Sequence, residues 1–226
     1  MDFFMETKFK AIIFDLDGTL LDTLTDIANS TNAALSQLGF PTHTVDAYRY
    51  FIGDSLVAKI KRILPEEHLN PETIEKCLQL NKAEYSKCWD QNTLPFPGIP
   101  ELLTVLTERK VPMAVLSNKL DHFTQMTVKK LLADWSFDIV LGVSDTIPVK
   151  PDPGGALYIA EKLNISPAEF LYLGDTNTDM QTAVAAGMYP VGALWGFRDA
   201  DELLKNGAKS LAKTPTDVLN FFNNVD

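Results

Sequence analysis

Two aspartates stand two positions apart in the segment FKAIIFDLDGTLLDT, directly after an apolar run. Carboxylates as close as Asp15 and Asp17 repel, and either a cation between them or a proton on one of them relieves the repulsion. Both remedies are chemically useful. Gly18 lets the chain turn sharply and approach a ligand closely, and the Thr19 hydroxyl suits an anionic group.

The same design of an apolar run ending in polar groups recurs twice. Met113 to Leu116 runs into Ser117, Asn118 and Lys119, and Phe170 to Gly174 runs into Asp175, Thr176, Asn177, Thr178 and Asp179. Between them Lys150 sits in VKPDP. Ala11 to Phe14 is continuously apolar and rich in β-formers, which suits a strand buried on both faces of a parallel sheet. With three such strands side by side, their polar ends gather at the carboxyl edge, where open α/β sheets bind ligands.

The elements that carry these groups fall into two patterns. From 24 to 95 the sequence is helical. Leu24, Ile27, Ala28, Thr31, Ala34, Leu35 and Leu38 recur at helical spacing before Gly39 and Pro41. Ser55 caps a second helix whose buried side is Leu56, Val57, Ile60, Ile63 and Leu64, and Pro71 fits the first turn of a third. LPFP, from Leu94 to Pro97, reads as a stiff linker and hinge. Beyond it helix and strand alternate: helix 99–110, strand 111–116, helix 122–135, strand 137–141 and helix 156–163. A short helical turn at Ser166–Glu169, strands 170–174 and 188–194 and a last helix 216–222 complete the pattern. The expected fold is a doubly wound, Rossmann-like α/β core of residues 1–22 and 96–226, with an α-helical cap inserted at 23–95.

The 226 residues suffice for one α/β core with a modest second module. With 46% apolar and 22% charged residues and no apolar run of membrane-spanning length, the chain reads as an ordinary soluble protein. MDFFMETKFK lacks the basic start and apolar centre of a leader, so a cytoplasmic location and no membrane partner are expected. Cys77 and Cys88 form no CxxC pair and read as free thiols, and His43, His68 and His122 show no metal-ligand spacing. A net charge of −10 argues against a nucleic-acid partner. An anionic substrate stays compatible if a divalent cation and pocket lysines reverse the local field.

DLDGTL, the Ser117 strand end, Lys150 and GDTNTDMQTAVAAG occur in the order and near the spacing of the four motifs of the haloacid dehalogenase superfamily, which the chain resembles over nearly its whole length. The resemblance implies a phosphoryl-transfer enzyme working through an aspartyl-phosphate. Asp15 would be the nucleophile and Asp17 the acid/base. Ser117, the Asn118 amide and Lys150 would hold phosphoryl oxygens. It implies Mg2+ held by the Asp15 carboxylate, the Asp17 main-chain carbonyl and Asp175, with Asp179 orienting Lys150 or a metal-bound water.

Within the superfamily, DLDGTLLDTLTDIANSTNAALSQLGFP, SNK, KPDP and ALWGF are most similar to phosphoglycolate phosphatases. The dehalogenase branch lacks the second Asp, phosphonate-cleaving relatives carry Ala there, and the mutases carry a cap histidine where this chain has Ile27. A hydrolase acting on a small phosphorylated metabolite, as monomer or homodimer, is the expectation. A β-phosphoglucomutase-like mutase, a pyrophosphatase, a nucleotidase and a non-catalytic phosphoryl-binding regulator remain the alternatives. The cap loop departs from the GxG of phosphoglycolate phosphatases: Gly53, Asp54 and Ser55 are expected to meet the substrate with altered chemistry. Arg49, Lys59, Lys61 and Arg62 read as solvated cap-surface cations that are also suited to a substrate carboxylate.

Overall fold

The computed structural model describes residues 9–222; positions 1–8 and 223–226 of the expected core, with most of the N-terminal stretch read for a leader, lie outside the described residues. The chain begins with β1 (Ala11–Phe14) and β2 (Leu21–Asp22), followed by the helices α1 (Leu24–Gln37), α2 (Tyr48–Phe51), α3 (Leu56–Ile63) and α4 (Pro71–Cys88). It returns through β3 (Leu94–Pro95) and continues as α5 (Ile99–Glu108), β4 (Met113–Leu120), α6 (Asp121–Leu131), β5 (Ile139–Val143) and α7 (Gly154–Leu163). β6 (Phe170–Gly174), α8 (Asn177–Ala185), β7 (Tyr189–Ala193), α9 (Ala200–Lys205) and β8 (Ser210–Ala212) complete it, with 3-10 turns at Glu66–His68, Pro167–Glu169 and Pro215–Phe222.

Among the described residues six strands form one parallel sheet in the order β5-β4-β1-β6-β7-β8. β1 lies at its middle because both faces are covered: Ile12 and Phe14 enter one apolar cluster, and Ala11 and Ile13 the other. The strand order reverses at β1, so a crevice opens beyond the carboxyl ends of β1, β4 and β6.

The inserted helices have an apolar cluster of their own, in which Leu35, Tyr48, Ile60, Ile63 and Cys77 are buried, and Phe123 and Phe197 of the core close it from below. The two crossings between cap and core run side by side as a ribbon, with Leu21 opposite Pro95 and Asp22 opposite Leu94. Asp26 holds the return crossing. Its buried carboxylate accepts from the main-chain N–H groups of Asn92 and Thr93 at 2.9 Å each, and from both of their side chains.

Several expectations are corrected. The strand expected at 111–116 starts two residues later and extends through Ser117, Asn118 and Lys119 to Leu120, where its pairing with β5 shifts register. β2, β8, α2 and α9 carried no reading of their own, Leu94–Pro95 of the expected linker is a strand paired with β2, and the last helix is of the 3-10 type. On α3 the buried side is rotated: Val57 is 42% exposed and Lys59 is buried in its place. Leu56, Lys59, Ile60 and Ile63 share a face at three- and four-residue spacing, so it is the charge of Lys59, not its phase, that conceals it. Cys77 and Cys88 are free thiols, and no described helix is long and apolar enough to cross a membrane.

Candidate active site

The crevice is floored by side chains that the strand ends deliver. Asp15 follows β1, Asp175 follows β6, and Asp179 stands in the first turn of α8. Their carboxylates offer oxygens that all lie within 4.8 Å of one another, and all three residues are buried. Close approach is possible because two neighbours are glycines. A Cβ on Gly18, whose φ is +90°, would stand 2.4 Å from Asp175 Oδ2, and one on Gly174 would stand 2.3 Å from Asp179 Cβ.

Each carboxylate is held in place. Lys150 Nζ stands 2.8 Å from Asp15 Oδ1, donates to Asp179 Oδ1 at 2.6 Å and also reaches the Leu116 carbonyl at 3.1 Å. Asp175 accepts from Thr19 Oγ1 at 2.9 Å and from the Phe197 N–H at 2.8 Å. The other oxygen of Asp179 caps α8, accepting from the N–H and hydroxyl of Thr176 at 3.0 and 2.6 Å.

Three buried carboxylates against one lysine leave an excess of negative charge, and the acidities register it. Burial, then the neighbouring Asp179, pushes the Asp15 carboxyl well above the usual range. The same two causes push Asp175 up to about 7. Burial opposes charge on Lys150, but Asp15 and Asp179 outweigh it and hold the ammonium above its ordinary range. All the free donors are hard oxygens, the set that Mg2+ and Ca2+ take, so the residues fit a divalent cation.

Asp17 lies outside this cluster. Its Oδ1 is 2.5 Å from Lys119 Nζ, with the lysine side chain only 6% exposed. Burial works against that ammonium too, and Asp17 and Tyr85 together outweigh it, raising the lysine above its ordinary range. No role was read for Lys119 beyond its place in SNK, since nothing local in the sequence signals a partner about a hundred residues away. Ser117 is buried, lines the crevice, and its Oγ accepts from the Lys119 N–H at 3.2 Å.

The remaining expected contacts divide. Thr19 is corrected: its side chain is fully buried and its hydroxyl donates to Asp175, so it supports a carboxylate instead of facing a substrate. Ser55 is a helix cap, accepting from the Ala58 N–H at 3.2 Å, and does not line the crevice. Gly53 and Asp54 do line it, with Asp54 paired to Arg62. The Asn118 side chain is committed to main-chain partners, accepting from the Lys150 N–H at 2.7 Å and donating to the Gly53 carbonyl at 3.0 Å. Thr178 Oγ1 donates to that same carbonyl at 3.1 Å, and Arg198 to the Ile52 carbonyl at 2.8 Å, so the cap loop is fastened over the crevice. The crevice holds a space of about 100 Å³, with Asp15, Asp17, Ser117 and Lys119 below and Ile52, Lys59, Asn81 and Tyr85 among the residues above.

A family model described as haloacid dehalogenase-like hydrolase matches residues 12–193, spanning all four motif regions. The chain belongs to that family. It is 33% identical over 183 residues to the phosphoglycolate phosphatase of Thiobacillus denitrificans, covering 79% of this chain and 80% of the relative. It is 31% identical over 190 residues to the phosphoglycolate phosphatase of Aquifex aeolicus, covering 83% and 86%. Among solved structures, a haloacid dehalogenase-like hydrolase from Streptococcus pneumoniae superposes with a TM-score of 0.86 at 27% identity, covering 96% of this chain and all of that one.

Proposed function

We propose that this phosphatase hydrolyses a small phosphate monoester, with phosphoglycolate as the leading substrate, through a phosphoryl group carried on Asp15. The observation that carries the reading is the Asp15 carboxylate, which opens onto the crevice beside Lys150 while Asp17 stands on the neighbouring wall. In the first step an Asp15 oxygen attacks phosphorus, the ester P–O bond breaks, and Asp17 gives its proton to the departing oxygen. In the second step Asp17 takes a proton from water, whose oxygen attacks phosphorus and displaces the Asp15 carboxylate, releasing inorganic phosphate.

Lys150, Ser117 and the main chain of Asn118 hold the phosphoryl oxygens, and Asp179 fixes Lys150. A substrate's ester oxygen competes with Lys119 for Asp17. Mg2+, held by Asp15, Asp175 and the Asp17 carbonyl, would supply charge neutralisation at the phosphoryl group. The cap excludes water from the first step and opens for release. Phosphoglycolate comes to this chain from the names of its relatives, and a cytoplasmic setting from the sequence reading. The test is phosphate release from a panel of phosphorylated metabolites with and without chelator. Phosphate in solution supports a hydrolase, whereas isomerised sugar phosphate without free phosphate assigns a mutase.

A further inference from the structure

Among the described residues, the roof of the crevice holds a buried cation that forms no ion pair. Lys59 is 7% exposed, and its ammonium donates to Thr31 Oγ1 at 3.1 Å and Asn81 Oδ1 at 3.2 Å, both neutral. Thr31 is satisfied without it, donating to the Ile27 carbonyl at 2.6 Å and accepting from Asn81 at 3.0 Å. Every carboxylate lining the crevice already faces a different cation: Asp15 faces Lys150, Asp17 faces Lys119 and Asp54 faces Arg62. A second donor is also unmet. Tyr85, one helical turn after Asn81 on the same face of α4, lines the crevice with its hydroxyl buried; the Lys119 ammonium beside it can only donate, so among the described residues the hydroxyl proton has no acceptor.

Burying a charge without a counter-ion, and a hydroxyl without an acceptor, is unfavourable, and a fold retains such groups where a ligand completes them. Both residues line the crevice whose floor is the proposed phosphoryl site. We infer that Lys59 and the Tyr85 hydroxyl bind a second anionic group on the substrate, a carboxylate or second phosphate set a few atoms from the ester oxygen. The inference rests on the floor being the phosphoryl site. It makes the cap the selector of charged phosphate esters, with Asn81 and Thr31 positioning the ammonium.

A lysine that merely ties α1, α3 and α4 together would behave differently. Its loss would destabilise the cap and lower turnover of every ester alike. The full chain with Mg2+ is therefore compared with Lys59→Met and Tyr85→Phe on four esters: phosphoglycolate, a small alkyl bisphosphate, ethyl phosphate and p-nitrophenyl phosphate. The expected result is that the kcat/KM ratio of charged over uncharged esters falls roughly 10- to 100-fold in Lys59→Met, through KM, and less in Tyr85→Phe. The ester with the larger loss, carboxylate or bisphosphate, identifies the anion. Lys59→Met is also expected to melt no lower than the parent. An unchanged ratio, a parent enzyme without preference for charged esters, or a lower melting temperature overturns the inference. Asp15→Asn on the same panel keeps the two readings apart: retained turnover there rejects the floor, whatever the ratio in Lys59→Met.

Discussion

The floor and the roof of the crevice carry opposite imbalances of charge. On the floor three buried carboxylates cluster with one lysine that pairs with two of them, and on the roof a buried lysine donates only to neutral oxygens. The floor is assembled from the ends of a parallel sheet, and the roof from helices inserted after its first strand. Each region lacks what the other has in excess, and the Lys119–Asp17 ion pair, which lies wholly within the floor, does not bridge them. On the proposed reading the two charges are complements of two further bodies: a cation below, and above it a ligand that is negative at both ends.

The largest effect expected from breaking this contrast is at its lowest point. Asp15→Asn removes the nucleophile at nearly constant shape, and phosphate release should fall by roughly 10⁴-fold or more with the melting transition kept. Near-parental turnover in the folded variant would remove the mechanism. Lys150→Met leaves the three carboxylates without their counter-charge, and removing one member of a buried pair costs on the order of 3–5 kcal/mol. Denaturant unfolding should show that loss, and added Mg2+ should raise the stability of this variant more than that of the parent. An equal response of the two proteins would mean that the acid cluster is not where the cation sits.

The roof should respond with the opposite sign. Burial, with help from Lys119, lowers the Lys59 pKa from 10.5 to about 8, against smaller opposing effects of Asp17 and Cys77; Tyr85 and Lys82 share the crevice wall. A lysine whose folded pKa is depressed destabilises the fold wherever it is protonated in both states, here below about pH 8, and the penalty fades as pH rises toward 10.5. That penalty is about 3 kcal/mol, from which the lost partner of Asn81 Oδ1 subtracts about 1–2 kcal/mol. Lys59→Met should therefore be more stable than the parent by on the order of 1–2 kcal/mol at pH 7, with the gain shrinking above pH 8. Unfolding curves at pH 7 and 10 test both size and direction, and a gain that grows with pH contradicts the assignment. The smallest effect is expected at the cap loop, where Ser55→Ala loses a helix cap worth about 1 kcal/mol. Asp54→Asn loses a partly exposed pair with Arg62 worth about 0–1 kcal/mol, and it should alter the ranking of substrates more than hydrolysis of an aryl phosphate. Equal losses on all substrates would make the loop structural only.

The floor was far more legible in the sequence than the roof. AIIF and FLYLG announce strands buried on both faces, and the carboxylates that follow them announce a ligand edge. Lys119 was not legible, because its strand continues through polar residues to Leu120 and its partner Asp17 is distant in sequence. Thr19 was read as facing an anion, since sequence does not tell which hydroxyl a buried carboxylate claims. Lys59 was read as solvated for its charge, and Val57 as buried for its hydropathy, although helical phase alone permits the reverse. The β2–β3 ribbon is two residues on each side and arises only when the crossings, some seventy positions apart, meet. No local pattern encodes it.

The phosphoryl group on Asp15 is the step on which the account turns, and the Asp17→Asn variant offers the most direct view of it. An activated aryl leaving group hardly needs a proton, whereas water attack still lacks its base. Rapid-quench assay with p-nitrophenyl phosphate should show a burst of about one equivalent of p-nitrophenol, followed by slow turnover. Mass spectrometry of the quenched protein should place one phosphoryl group on the peptide containing Asp15, and alkyl phosphates should be turned over far more slowly. Equal rate loss on aryl and alkyl esters with no phosphorylated protein would contradict the account.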